Sequence, residues 1–145
     1  MPGIVVGVDG SGDSHEALEW AVKHAALEHT PLTVLVVHEV VASAWTGNPI
    51  VYPEDRPDEE KARQGAQEAV NKIISGMAGA KPESVTVRAV SGMPANALIE
   101  ASRDADLVVV GSRGAGGFSN LMMGSVSSKV VSHAECPVVV VRHKR

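Results

Sequence analysis

The stretch Leu107-Val108-Val109-Val110-Gly111-Ser112-Arg113-Gly114-Ala115-Gly116-Gly117 runs from an unbroken apolar, largely β-branched segment straight into a glycine-rich turn. A near-continuous run of Val and Leu is what a strand covered on both faces requires, because neither face meets water. Three more runs share that character: Ile4-Val8, Leu32-Val37 and Val138-Val141. A fifth, Val85-Val90, alternates with Thr86 and Arg88. Between these runs lie segments with helical spacing. Ala17, Leu18, Ala21, Val22 and Ala25 form one stripe, and Ala62, Ala66, Ala69, Val70, Ile73 and Met77 form a longer one. Pro57 is expected to open that second helix, with Gly76, Gly79 and Pro82 closing it. A third helix should start at Pro94 with Leu98 and Ile99 facing inward. A fourth should start at Ser125, carry Val126 and Val130, and end before Cys136-Pro137. Strands alternating with helices imply an α/β fold with a five-stranded, parallel, doubly wound sheet and helices on both faces. Right-handed crossovers restrict the topology strongly, and the order expected here is one common for five strands, 3-2-1-4-5, which reverses between strands 1 and 4. The long irregular stretch from Val41 to Asp55, with Trp45, Gly47, Pro49 and Pro53, is either a lid or variable surface.

Size and charge narrow the class. The chain has 145 residues, 44% hydrophobic and 21% charged, which suits one soluble domain spanning residues 1–145. Its 13 Lys+Arg against 17 Asp+Glu give a net charge of −4, whereas a nucleic-acid footprint wants a strongly basic face. No apolar stretch approaches the roughly 18 residues of a membrane span. The opening Met1-Pro2-Gly3-Ile4 lacks the basic flank and apolar run of a secretory signal. The expectation is a cytoplasmic protein that binds neither nucleic acid nor membrane. The one cysteine, Cys136, excludes an internal disulfide and reads as a small buried apolar residue or as a reactive thiol. None of the six histidines pairs with another at the i, i+4 spacing of a helical zinc site, so no metal site is expected. Phe118, Leu121, Met122 and Met123 are either loop residues tucked against the sheet or a partner-facing patch.

In an open α/β sheet, ligands bind beyond the carboxyl ends of the strands where strand order reverses. The two unusual segments fall there. Strand 1 ends in Gly7-Val8-Asp9-Gly10-Ser11-Gly12, and strand 4 ends in the glycine-rich turn. Four glycines among residues 111–117 let backbone amides approach a ligand without Cβ obstruction. Gly124-Ser125 then opens a helix, whose unpaired amides and positive dipole end suit a phosphate. Ser125 adds a hydroxyl and Arg113 a charge. The same residues would also serve as a plain glycine-rich turn with Ser125 as N-cap. Asp9 sits where a carboxylate could meet ribose hydroxyls, base nitrogens or a metal, or could simply form a turn before glycine. No Gly-Lys-Ser/Thr follows the glycines, so this is no Walker A loop. Gly10-Ser11-Gly12-Asp13-Ser14-His15 misses the dinucleotide fingerprint by placing His15 where the third glycine belongs.

Taken together, Gly111-x2-Gly114-x9-Gly124-Ser125, the opening Ile4-Val5-Val6-Gly7-Val8-Asp9-Gly10-Ser11, the segment Val37-His38-Glu39-Val40 and the closing Cys136-Pro137-Val138-Val139-Val140-Val141 resemble the ATP-binding universal stress proteins of the UspA type. The resemblance spans nearly the whole chain. It implies that Val8 and Asp9 line the adenosine end, with Asp9 on adenine or ribose and Gly10 and Ser11 flanking. It implies that the backbone at Glu39 meets the adenine edge, a position where an apolar residue is frequent in the family. Gly111 would approach the ribose, while Gly114, Gly124, Ser125 and Val126 would hold the phosphates. Arg113 lies in that loop at a position that varies. Magnesium would accompany ATP. The resemblance also implies a homodimer through the last strand. An apolar run at Val138-Val141, on a sheet edge in the order above, supports that separately, because open edges invite pairing.

Three functions stand side by side: an ATP-binding regulatory module of the stress response, an ATP hydrolase, and a binder of AMP or cyclic AMP. Hydrolysis needs an oriented water and stabilisation of the transferring phosphoryl group. The phosphate loop carries no carboxylate or histidine, so turnover at most slow is expected, with no catalytic residue assigned.

Overall fold

The computed structural model describes residues 3–8, 12–39, 55–112 and 124–142. Five strands alternate with four helices: β1 (Ile4–Val8), α1 (Gly12–Glu28), β2 (Pro31–Glu39), α2 (Asp55–Ser75), β3 (Ser84–Gly92), α3 (Pro94–Ser102), β4 (Leu107–Gly111), α4 (Ser125–His133) and β5 (Val138–Val141). The sheet is parallel throughout, in the order β3-β2-β1-β4-β5. The expected α/β class and strand order both hold.

The period of two along each strand divides the interior into two cores. Ile4, Val6, Leu32, Val34, Val36 and Val109 face α1 and α2. Val5, Leu35, Val108 and Val110 face the other way, toward Ala95 and Leu98 of α3 and Val130 of α4. Covering both faces is why β1 and β4 are written almost wholly in Val, Ile and Leu. The edge strands differ. β3 buries Val87 but exposes Thr86 and Arg88, and every residue of β5 is only partly buried.

Local signals explain the helix limits. All five stripe residues of α1, Ala17, Leu18, Ala21, Val22 and Ala25, are buried. α1 ends when His29 turns left-handed at φ 50°. The His29 amide then donates to the Ala26 carbonyl at 3.2 Å and the Thr30 amide to the Ala25 carbonyl at 3.0 Å. That pair of bonds is the Schellman closure, built here without glycine. α2 begins at Asp55, ahead of Pro57, because a proline in a first turn has no helical bond to lose. α3 starts at Pro94 and α4 at Ser125, as the sequence predicts. The irregular stretch 40–54 lies outside the described residues, so the choice between lid and surface is not addressed by the fold.

One glycine sets the spacing of a layer. Gly7 in β1 lies under Leu98 of α3, and a Cβ built on Gly7 would come within 2.8 Å of Leu98 Cδ1 and 3.0 Å of Cδ2. The missing side chain lets α3 sit close to β1, one residue before the end of that strand.

Candidate functional site

β1 and β4 are neighbours, yet the chain leaves them toward opposite faces of the sheet. After β1 it enters α1, which packs with the core holding Val6 and Val109. After β4 it enters α4, whose Val130 packs with Val108 and Val110. That divergence opens the crevice expected at a strand-order reversal. Two residues beyond the last β1–β4 pair, Val6 with Val109, stand Val8 and Gly111. Gly111 also pairs with Val141 of β5, and Val8 with Val36 of β2.

The N-terminus of α4 is held at this rim. The Gly124 amide donates to the Ser112 carbonyl at 2.6 Å, and the Ser112 amide donates to the Val141 carbonyl at 2.9 Å. Gly124 is the N-cap, with φ −67° and ψ 165°, and it supplies no side-chain hydrogen bond to the helix. The Ser128 amide makes the first helical bond, to the Gly124 carbonyl at 3.0 Å. The amides of Ser125, Val126 and Ser127 therefore precede the helical ladder. Ser125 is exposed and Val126 partly buried. Ser125 is the first helical residue and not the cap, which removes the reading of it as an ordinary N-cap serine. With a glycine as cap, no side chain competes for the first-turn amides, and the helix dipole adds positive potential there.

The structure thus gathers Val8, Gly111, Gly124, Ser125 and Val126 at the carboxyl edge of the sheet. Glu39 ends β2 opposite Gly92 of β3. It stands three residues past Val36, or about 10 Å further along the strand, so its backbone rises above the rim beside the crevice. Asp9, Gly10, Ser11, Arg113 and Gly114 lie outside the described residues, as do Phe118, Leu121, Met122 and Met123. Two serines that sequence reasoning passed over, Ser112 and Ser127, prove central to holding α4 in place. Their only signal was position, one just after a strand glycine and one in a helix's first turn. Spacing along the chain cannot show that they meet.

The first turn of α4 and the end of β4, Gly124-Ser125-Val126-Ser127 and Gly111-Ser112, offer amides and hydroxyls but no ionisable side chain. Among the described residues, the perturbed ionisable groups lie elsewhere. Glu60 on α2 is held below the usual glutamate range by its hydrogen bonds to Arg63. Cys136 precedes β5 at the opposite, amino edge of the sheet. Burial pushes its thiol up, a backbone hydrogen bond at Val108 pulls it back, and the charge of Asp106 raises it further. Cys136 is therefore a partly buried thiol whose surroundings work against the thiolate, which accords with the apolar reading.

Comparison with known proteins now adds to this geometry. A model of the universal stress protein family matches residues 2–142. The chain belongs to the universal stress protein family. A universal stress protein of Mycobacterium tuberculosis (strain H37Rv) is 39% identical over 141 residues, covering 96% of this chain and 47% of the relative. The chain therefore spans about half the length of the curated relatives it matches. Among solved structures, the universal stress protein UspA from Lactobacillus plantarum superposes with a TM-score of 0.74 at 24% identity, over 97% of both chains. A universal stress protein in complex with cAMP gives 0.69 at 24% identity, over 97% of this chain and 96% of that one. The universal stress protein of Archaeoglobus fulgidus in complex with dAMP gives 0.60 at 23%, over 98% of each. At those identities the structures speak for the shared fold. No helix among the described residues is long and apolar enough to cross a membrane.

Proposed function

We propose that this universal stress protein binds an adenine nucleotide in the crevice between β1 and β4, that ATP is its ligand, and that occupancy makes it a regulatory module of the stress response. The observation that carries the reading is the glycine-capped N-terminus of α4, tied by the Ser112 carbonyl to the carboxyl end of β4. Such a terminus suits a phosphate group, because aligned amides and the dipole both favour an anion. In this reading Gly124, Ser125 and Val126 hold phosphate, with Gly114 and Arg113 contributing from the loop. Gly111 approaches the ribose. Val8, Asp9, Gly10 and Ser11 line the adenosine, and the Glu39 backbone meets the adenine edge. Magnesium enters with the triphosphate. The described segments Gly111-Ser112 and Gly124-Ser125-Val126-Ser127 would offer that ion hydroxyls and no carboxylate, so it would depend on the phosphates for its charge partners. With Asp9 at the adenosine end and no carboxylate or histidine in the phosphate loop, this reading carries turnover that is at most slow.

A one-phosphate ligand, AMP or cyclic AMP, is the second reading, favoured by the cAMP and dAMP bound in the structural neighbours. We further propose a cytoplasmic homodimer joined along β5. β5 pairs with β4 on one side, and its four valines are only half-buried. A second β5 would satisfy its outer backbone groups and cover those valines.

Denaturing freshly purified protein and identifying released nucleotide by mass spectrometry tests the ligand. Titration with ATP, AMP and cyclic AMP in magnesium follows. Recovered or preferentially bound ATP is the expected result. Tighter binding of AMP or cyclic AMP would move the assignment to the second reading, and no adenine nucleotide at all would end it. Light scattering at tens of micromolar tests the dimer, which a monomer would refute.

A further inference from the structure

Ser127 plays no part in the ligand contacts above, although among the described residues it is a buried polar side chain in the first turn of α4. We infer that Ser127 is a positioning residue for the phosphate seat: its hydroxyl holds the first turn of α4 against the end of β4, keeping the preceding amides aimed at the crevice. The inference rests on the nucleotide reading. Ser127 is only 2% exposed, and its Oγ lies 3.2 Å from the Ser112 carbonyl and 3.1 Å from the Gly124 carbonyl. A helical serine commonly bonds back to the turn before it, and Gly124 alone would satisfy that habit. The second acceptor is different, because Ser112 lies fifteen residues earlier and on another element. One hydroxyl proton is shared between the carbonyl that leaves the strand and the carbonyl that enters the helix.

The Ser112 carbonyl also accepts from the Gly124 amide, and Ser112 is fastened to Val141 through its own amide. Strand, helix cap and edge strand are thus joined at one residue, which brackets the glycine-rich loop on both sides. Removing the Ser127 hydroxyl leaves each carbonyl with another donor, so the fold should survive. What is lost is a restraint on the direction of α4. Hydrogen bonds to an anion weaken steeply as the donor swings off line, so the phosphate end of a ligand should feel the loss and the adenosine end should not.

The test is calorimetric titration of ATP and of adenosine against the unaltered protein, Ser127→Ala and Ser127→Thr. We expect Ser127→Ala to bind ATP about three- to tenfold more weakly, the value of one hydrogen bond. Adenosine affinity should stay within about twofold, and Ser127→Thr, which restores the hydroxyl, should recover ATP. Unchanged ATP affinity in Ser127→Ala, or equal losses for both ligands, would overturn the inference while leaving the nucleotide reading intact. An unaltered protein that binds ATP no better than adenosine would instead remove the phosphate seat itself. Should the alanine variant fail to fold, Ser127→Cys, of similar volume and with a weaker donor, carries the same comparison.

Discussion

Gly7 offers a direct test of the packing that places β1 beneath α3. In Gly7→Ala the new methyl would sit 2.8 Å from Leu98 Cδ1, 3.0 Å from Cδ2 and 3.4 Å from Cγ. Carbon atoms in comfortable contact stay about 3.5 Å or more apart, so Leu98 must retreat by about 0.7 Å. It has little room to do so. Leu98 is 3% exposed and packs in a cluster with Val5, Leu35, Ala95, Val108, Val110 and Val130. Overpacking of this kind costs about 1–3 kcal/mol. Alanine regains about 0.5–1 kcal/mol over glycine within a strand. The net loss is about 0.5–2 kcal/mol, or a fall in melting temperature of about 2–6 °C for a chain of this size. Equilibrium urea unfolding followed by circular dichroism, at one fixed protein concentration, measures it. The decisive comparison adds Leu98→Ala, which alone should cost about 2–5 kcal/mol by leaving a cavity. In the double variant the Gly7→Ala methyl enters that cavity. The loss in the double variant should then fall short of the sum of the two single losses by at least about 1 kcal/mol. A stable Gly7→Ala protein, or strictly additive losses, would refute the account of the contact.

Other positions make separate tests. His29 holds the left-handed closing position of α1 without being glycine, so His29→Gly should stabilise the protein by about 0.5–1 kcal/mol, read as a higher melting temperature. Ser102 is 1% exposed, and its hydroxyl donates to the Ile99 carbonyl at 2.6 Å while accepting from the Glu135 amide at 2.9 Å. Ser102→Ala should cost about 1–2 kcal/mol in urea unfolding, because that amide loses its acceptor on the approach to β5. Glu60, held low by Arg63, should titrate below the ordinary glutamate range in a carbon-detected NMR titration, and Arg63→Gln should move it back up toward that range. Because the folded pKa is the depressed one, whatever the pair adds to stability is present at neutral pH. It is lost as pH falls from the ordinary glutamate range through that lower value. Both side chains are substantially exposed, so the melting temperature at pH 7 should barely respond to Arg63→Gln. Finally, Gly114→Ala should weaken ATP binding with the circular dichroism spectrum unchanged, and unaltered affinity would mean the loop amides do not approach the ligand.

The sequence was legible wherever a local period or a breaker decides the conformation. Runs such as Ile4-Val8 and Val138-Val141 are strands because continuous β-branched residues suit a pleated, covered surface and little else. Pro94 and the Gly124-Ser125 pair mark helix starts because one lacks an amide to waste and the other frees the backbone at the cap. α2 begins before Pro57 because proline tolerates several places in a first turn, so its presence bounds the start without locating it. Connection handedness narrowed the strand order to a few common ones, a rule of topology and not of any residue, and the sheet takes the expected one, β3-β2-β1-β4-β5.

The candidate site divides along the same line. The chain by itself pointed to one crevice, through strand order and glycine spacing, and its glycine signature together with the opening and closing segments resembled the family that the comparisons then showed. Only the tertiary structure decided that Leu98 closes over Gly7 and that Ser127 reaches back to Ser112. These are contacts between residues brought together by the packing of α3 and α4 on one face of the sheet. Hydrogen bonds and close packing act over a few ångströms in space, whereas the signals in a sequence act over a few residues along it. A contact between distant segments leaves no local trace until the sheet has formed between them.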